Sequence, residues 1–297
     1  MIRHFDLTLP QGITLACRGA GEGVARVLML HGFPEAAFVW DEVMERVAPH
    51  AACVAPNLRG YVGSSAPAEL SAYRAKHLVS DVVAAIEALG APLDLLVAHD
   101  WGGALAWNLA AQRPDLIRRL LMINSPHPAT FLRELRHNPQ QQAASAYMTF
   151  LCRPDAAQLL AEDDFRRLWP FLGDPAWLTP AVREQYRQAW ANGGRGLDGP
   201  LNYYRASPLR PPLAADDPLH RVELPDAAVT VRVPTALLWG ERDRALLPAL
   251  LDGLERWVPQ LRLERVPEAS HWIVHEQPGR VAELITALLA EVRQGGR

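Results

Sequence analysis

Apolar positions along the chain fall into two rhythms. Short, mainly apolar runs at 27–30, 51–55, 93–98, 120–123 and 234–240 predict buried strands, and 261–266 is expected to be the last strand. Between them, apolar residues return every three or four positions, as Leu78, Val82, Ile86 and Leu89 do within 77–89. That spacing predicts an amphipathic helix, which Gly90 and Pro92 stop. Further helices are predicted at 41–47, 103–111 and 247–257. A closing helix is predicted at 276–292, with Val281, Ile285, Leu288 and Leu289 inward. The runs 4–9 and 13–17 flank Pro10-Gln11-Gly12 and predict a hairpin. Strands alternating with helices predict an α/β protein, its mostly parallel sheet covered by helices on both faces.

The rhythm breaks at Asn124-Ser125-Pro126. From there to 232 no strand alternation is visible, and helical stretches at 140–151 and 180–191 are interrupted by Pro and Gly. The stretch 207–225 holds Pro208, Pro211, Pro212, Pro218 and Pro225 and predicts an irregular return path. The expected organisation is therefore a core of 1–125 and 233–297 carrying a helical cap insertion, 126–232.

Composition narrows the class. The 297 residues are 49% hydrophobic and 21% charged, which are globular values. Thirty Lys plus Arg against 33 Asp plus Glu give a formal charge of −3. With no basic block or aromatic-interleaved basic stripe, nucleic acid is not an expected partner. No apolar run is long enough to span a bilayer, so no membrane partner is expected either. Met1-Ile2-Arg3-His4-Phe5-Asp6 lacks the apolar core of a signal peptide. Cys17, Cys53 and Cys152 are odd in number and widely spaced, which suits a reducing compartment. A cytoplasmic location is expected.

Candidate chemistry begins at Ala98-His99-Asp100-Trp101-Gly102, between a predicted strand and a predicted helix. A strand that turns at once into a helix strains its central residue and needs small neighbours two positions away. This is the nucleophile-elbow pattern with Asp where Ser is usual. On these five residues alone, a charged residue on an ordinary turn fits as well. Three further features decide between them. The strand at 27–30 ends in His31-Gly32-Phe33-Pro34, Asp243 follows the strand at 234–240, and His271 follows the last strand. Asp100, Asp243 and His271 thus occur in the order nucleophile, acid, base, each just past a strand end, where sites in parallel sheets lie.

An Asp nucleophile is already ionised at neutral pH and attacks a saturated carbon without a base, forming an alkyl ester. The base serves only the second step, activating the water that breaks the ester. His271 is the expected base, Asp243 its orienting acid, and the N–H groups of Phe33 and Trp101 the expected oxyanion hole.

The motifs His31-Gly32-Phe33-Pro34, Arg59-Gly60-Tyr61, His99-Asp100-Trp101-Gly102-Gly103, Trp239-Gly240-Glu241-Arg242-Asp243 and Ser270-His271-Trp272 resemble, in place, those of the α/β-hydrolase superfamily and within it the epoxide hydrolases. The resemblance runs almost the full length. It implies an α/β-hydrolase fold with a cap, and hydrolysis of an epoxide to a diol through an aspartyl ester. Gly199-Pro200-Leu201-Asn202-Tyr203-Tyr204-Arg205 is similar to the segment carrying one of the family's two epoxide-binding tyrosines, with Tyr204 in place. Ala146-Tyr147-Met148-Thr149-Phe150 resembles the segment carrying the other, with Tyr147 in place. Around them His31, Pro34, Trp101, Phe150 and Trp272 are expected to line the pocket. A small apolar organic substrate and water are the expected partners, with no metal and no cofactor. The chain departs from the family at Ala98, where Gly is usual, and at 152–164, where a Gln-Leu-Pro-type segment is usual.

Two other readings use the same fold. A haloalkane or haloacid dehalogenase shares the Asp nucleophile and uses a Trp after it as halide donor, with a second Trp from the cap, here Trp169, Trp177 or Trp190. Phe33 stands where many haloalkane dehalogenases carry Asn, and Trp101 where fluoroacetate-type enzymes carry Arg. A non-catalytic ligand receptor would not need Asp100, Asp243 and His271 together. His271 and His275 have the i, i+4 spacing of zinc ligands, but no Glu follows His271 directly.

Overall fold

A computed structural model describes residues 1–295. Eight strands form one sheet in the order β1-β2-β4-β3-β5-β6-β7-β8. They are β1 (Arg3–Thr8), β2 (Thr14–Ala20), β3 (Ala25–Leu30), β4 (Ala52–Pro56), β5 (Leu95–His99), β6 (Leu120–Ile123), β7 (Thr235–Gly240) and β8 (Leu261–Val266). β1 and β2 form the expected hairpin, β2 runs antiparallel to β4, and every other pairing is parallel.

The central strands are buried on both faces, which is why their sequences are apolar without alternation. Alternate residues still go to opposite sides. Met29, Val97, Leu121 and Leu238 join one core with α1 (Asp41–Val47) and the closing helix. Leu28, Leu96, Met122 and Leu237 join a second core with α2 (Ala75–Leu89) and α3 (Asp100–Gln112). α2 stops at Gly90, which takes the left-handed conformation at φ 101°.

Between β6 and β7 the chain is helical: α4 (Pro128–His137), α5 (Pro139–Ala144), α6 (Tyr147–Leu151), α7 (Ala156–Phe165), α8 (Trp169–Leu172), α9 (Pro180–Ala191), α10 (Asp198–Ala206) and α11 (Asp226–Val229). Several bonds seat this segment on the sheet. Trp190 Nε1 donates to the Pro34 carbonyl at 2.6 Å, the Tyr203 hydroxyl to the Arg59 carbonyl at 2.9 Å, and Trp272 Nε1 to the Phe171 carbonyl at 3.1 Å.

Three predicted helices differ in the structure. The stretch 140–151 is two helices, α5 and α6. Tight bonds three residues back at Ala146, Met148 and Thr149 turn the chain between them. The stretch 247–257 is not an α-helix but two 3₁₀ turns, Pro248–Leu251 and Leu254–Arg256, parted by Gly253 at φ 69°. Arg133 of α4 donates to the carbonyls of Ala249 and Asp252, which tie this stretch to α4. The last helix starts as one turn, α12 (Ile273–Glu276), and restarts as α13 (Pro278–Gly295), because Pro278 has no N–H to continue the first.

Among the described residues no helix is long and apolar enough to cross a membrane. The three cysteines are free, and burial pushes the thiols of Cys17 and Cys53 up to about 12. They are small apolar fillers.

Candidate active site

Asp100 is the first residue of α3, directly after β5, and its φ is 49°. Few residues other than glycine adopt that conformation, and it persists at a defined site where the surroundings enforce it. Here they do. A Cβ on Gly102 would come within 2.6 Å of the Leu30 and His31 carbonyl oxygens, and one on Gly103 within 2.3 Å of the Ser125 side chain. A Cβ on Gly32 would stand 2.1 Å from Asp100 Oδ1. The glycines therefore let β3, β6 and the start of α3 close around one carboxylate. Ser125 Oγ donates to the Asp100 carbonyl at 2.8 Å and fixes the turn from the β6 side.

The Phe33 N–H donates to Asp100 Oδ1 at 2.7 Å, and the Trp101 N–H also points at this carboxylate. Burial raises the Asp100 carboxyl above its ordinary value, while His271, His99 and these two N–H groups oppose the shift.

His271 Nδ1 lies 2.6 Å from Asp243 Oδ2, and Nε2 lies 3.8 Å from Asp100 Oδ2. Burial disfavours a charged His271 ring, but Asp243 and then Asp100 outweigh it and hold the ring up at about 9. Burial works against Asp243 as a carboxylate too, yet His271, Asn124 and the Leu246 N–H keep it below the ordinary range. Its Oδ1 accepts from the N–H groups of Ala245 and Leu246. Asn124 completes the support. It sits at the end of β6 with φ 37°, donates to Asp243 Oδ2 at 2.9 Å, and accepts the Gly240 N–H at 2.8 Å.

Behind His271 lies a buried polar layer. His99 Nδ1 faces Glu35 Oε2 at 2.8 Å and Nε2 faces the His271 carbonyl oxygen at 2.9 Å. Both ring nitrogens of His99 are thus engaged inside the fold. Burial opposes ionisation of Glu35, but His99, His275 and His271 together outweigh it and lower the carboxyl to about 2.

Two cavities, of about 220 and 690 Å³, both reach the carboxylate. The smaller is mostly apolar, with Phe131, Met148 and Leu224 among its walls. The larger contains Asp243, His271 and Trp272. They have Asp100, Tyr147 and Tyr204 in common. The rings of Tyr147 and Tyr204 meet edge to face at 6.2 Å, and Phe33 and Trp101 stand edge-on to Tyr204 at 5.3 and 5.0 Å. Burial raises both phenols, and the Asp100 charge adds to it, so both remain protonated donors. Tyr203, the neighbour of Tyr204, instead spends its hydroxyl on the Arg59 carbonyl.

Of the residues expected around the pocket, Trp101 and Trp272 line it. His31, Pro34 and Phe150 are outside both cavities. His31 is fully buried beneath the turn, accepts the Leu58 N–H on Nε2, and is lowered to about 4 by burial. The Pro34 carbonyl is taken by Trp190. Phe150 is half-buried against the core and carries the guanidinium of Arg153 over its ring at 5.9 Å. Trp169, Trp177 and Trp190, between β6 and β7, line neither cavity. Trp169 bonds the Asp164 carbonyl, Trp190 bonds Pro34, and Trp177 stacks on His275 at 4.2 Å. His275 meets the Tyr186 hydroxyl at 2.8 Å, so it and His271 face different partners. Glu35, Asn124 and Ser125 are site-supporting residues that sequence reasoning missed. Glu35 adjoins the His31-Gly32-Phe33-Pro34 motif and Asn124-Ser125 stand where the rhythm breaks, but none carries a pattern of its own.

Comparisons agree with this geometry. The family described as alpha/beta hydrolase fold matches residues 25–278. The AB hydrolase superfamily protein YfhM of Bacillus subtilis is 35% identical over 94% of this chain and 95% of its own length. Epoxide hydrolase 3 of Xenopus tropicalis is 33% identical over 89% of this chain and 71% of its own. The crystal structure of a Bacillus megaterium epoxide hydrolase with an inhibitor superposes with a TM-score of 0.87 at 32% identity, covering 96% of this chain and all of that one. Likeness over such lengths, in sequence and in backbone, makes this chain a member of the α/β-hydrolase superfamily and, within it, of the epoxide hydrolase family.

Proposed function

We propose that this protein hydrolyses apolar epoxides to vicinal diols through a covalent ester on Asp100. The observation that carries the reading is the meeting of the two cavities at one carboxylate and two phenols. An epoxide lodged there faces a nucleophile on one side and two donors for its oxygen on the other.

Asp100 Oδ2 attacks an oxirane carbon and the carbon–oxygen bond breaks. Tyr147 and Tyr204 hydrogen-bond the departing oxygen, and one of them gives it a proton. His271, charged at neutral pH in the free site, returns that proton through solvent and becomes neutral. It then takes a proton from water, which adds to the ester carbonyl carbon. The N–H groups of Phe33 and Trp101 hold the oxyanion on Oδ1, and the diol leaves with Oδ2. Asp100, His271 and the phenols are back in their starting states. Asp243 orients the imidazole throughout.

In this reading residues 126–232 form the cap over a core of 1–125 and 233–297, since α6 and α10 bring the two phenols over Asp100. The free cysteines suit the cytoplasm as its location. The test sets diol release from styrene oxide beside halide release from a bromoalkane. Diol with no halide is expected; halide with no diol would replace the epoxide reading with a dehalogenase.

A further inference from the structure

The Pro-rich stretch from Ser207 to Pro225 has no role in the chemistry above, yet it is held in an unusual way. It leaves α10, makes one 3₁₀ turn at Pro218–Arg221, and enters α11. It has little regular structure to fix it. Asp217 accepts from the N–H groups of Leu213 and Leu219 and shapes the turn. Arg136 of α4 does the rest. Its guanidinium donates to the carbonyls of Leu219 (3.0 Å), His220 (3.1 Å) and Val222, and it has no carboxylate partner among the described residues.

The apolar side of the stretch is equally separate. Leu209, Leu219, Val222 and Leu224 pack on Phe131, Leu132 and Leu135 of α4 in a small cluster. The inner surface of this cluster is a wall of the apolar cavity that ends at Asp100. Phe131, Leu209, Val222 and Leu224 all face that space, as do Ser207 and Pro208.

We infer that the 207–225 stretch, clamped by Arg136, is the specificity wall for the apolar arm of the epoxide, with Leu224 and Val222 setting the size admitted. The inference rests on the epoxide reading and adds to it the substrate class: epoxides carrying one bulky aryl or alkyl group on the side of α4. Arg136 is a positioning residue. It acts on substrate through three carbonyls of the wall, and a compact ammonium cannot reproduce its fork.

The experiment measures kcat/KM for styrene oxide and for a naphthyl glycidyl ether in the wild type, Leu224→Trp, Arg136→Gln and Arg136→Lys. Circular dichroism and thermal melting verify the fold of each. Leu224→Trp should lower the naphthyl-to-styrene ratio by about tenfold or more, the scale at which pocket shape discriminates. Arg136→Gln should shift the same ratio through KM rather than kcat, and Arg136→Lys should restore only part of it. Diol from the wild type with an unchanged ratio in folded Leu224→Trp and Arg136→Gln would overturn the wall. No diol from either epoxide with the wild type would overturn the epoxide reading, and the wall's role with it.

Discussion

Asp100 Oδ2 and His271 Nε2 stand 3.8 Å apart, too far for a hydrogen bond, while Oδ1 of the same carboxylate is held at 2.7 Å by the Phe33 N–H. The two oxygens are thus already distinguished. Oδ1 accepts the Phe33 N–H, and Oδ2 is the oxygen on the His271 side.

This division predicts the behaviour of His271→Gln. The variant keeps the nucleophile and loses the base for the second step. It should be alkylated and then stall. Intact-mass measurement should find the protein plus one epoxide. A folded variant that stays unmodified under saturating epoxide would exclude a separate ester-hydrolysis step.

Tyr147 and Tyr204 share the cavity junction with Asp100, so each single Phe variant should keep some epoxide opening and the double variant should lose it. Each lost donor should cost on the order of 10² in rate. Single-turnover alkylation rates measure this. A folded double variant opening epoxide at the wild-type rate would remove both tyrosines from the mechanism.

The pH dependence follows from the charges. Alkylation needs ionised Asp100, and burial raises that carboxyl, so its acid limb should lie above the ordinary carboxylate range. His271 is held at about 9 partly by the Asp100 charge, and the ester has no such charge. The ring should therefore titrate below 9 in the intermediate, and ester hydrolysis should rise with pH through that lower value. Stability runs the other way. Because folding raises His271 from 6.5 to about 9, its contribution is complete below 6.5 and is lost as pH rises through about 9. Pre-steady-state alkylation and hydrolysis rates, with melts across pH 6 to 10, test the three statements; a hydrolysis rate that falls as pH rises toward neutrality would contradict them.

The sheet was legible because its central strands are buried on both faces, so 27–30, 120–123 and the rest read as bare apolar runs. Asp100, Asp243 and His271 were legible because each lies within a few residues of a predicted strand end. What sequence could not show depends on partners far along the chain. Asn124 matters through Asp243, 119 residues away, and Glu35 through His99, 64 residues away. The stretch 247–257 has helical spacing, but Pro248 and Gly253 divide it and Arg133 ties two of its carbonyls to α4. His31, Pro34 and Phe150 adjoin site residues in sequence, yet His31 is buried, the Pro34 carbonyl meets Trp190, and Phe150 packs on the core beside Arg153.

Asn124 gives a stability prediction. Its side chain meets Asp243 Oδ2 and both backbone groups of Gly240 within the buried interior. Asn124→Ala strands the Gly240 N–H, removes a donor from Asp243, and places Ala at φ 37°. The cost should be at least about 1–3 kcal/mol, the usual penalty for an unsatisfied buried group. Urea unfolding should show it, and kcat should fall with it as Asp243 loosens. A midpoint equal to the wild type would mean that another group takes over these bonds.

The origin of the diol oxygen tests the nucleophile itself. Direct attack of water, with Asp100 as general base, and attack by Asp100 give the same diol. They differ in which oxygen leaves. In the ester route water adds to the carbonyl carbon beside the Phe33 and Trp101 N–H groups, and Oδ2 departs with the product. A single turnover in heavy-oxygen water should therefore release diol with ordinary oxygen, and the label should appear in the peptide containing Asp100. The distinct settings of Oδ1 and Oδ2 favour this outcome, because the Phe33 N–H already holds the oxygen that remains. Label in the diol and none in that peptide would leave Asp100 as a base for water and end the covalent mechanism.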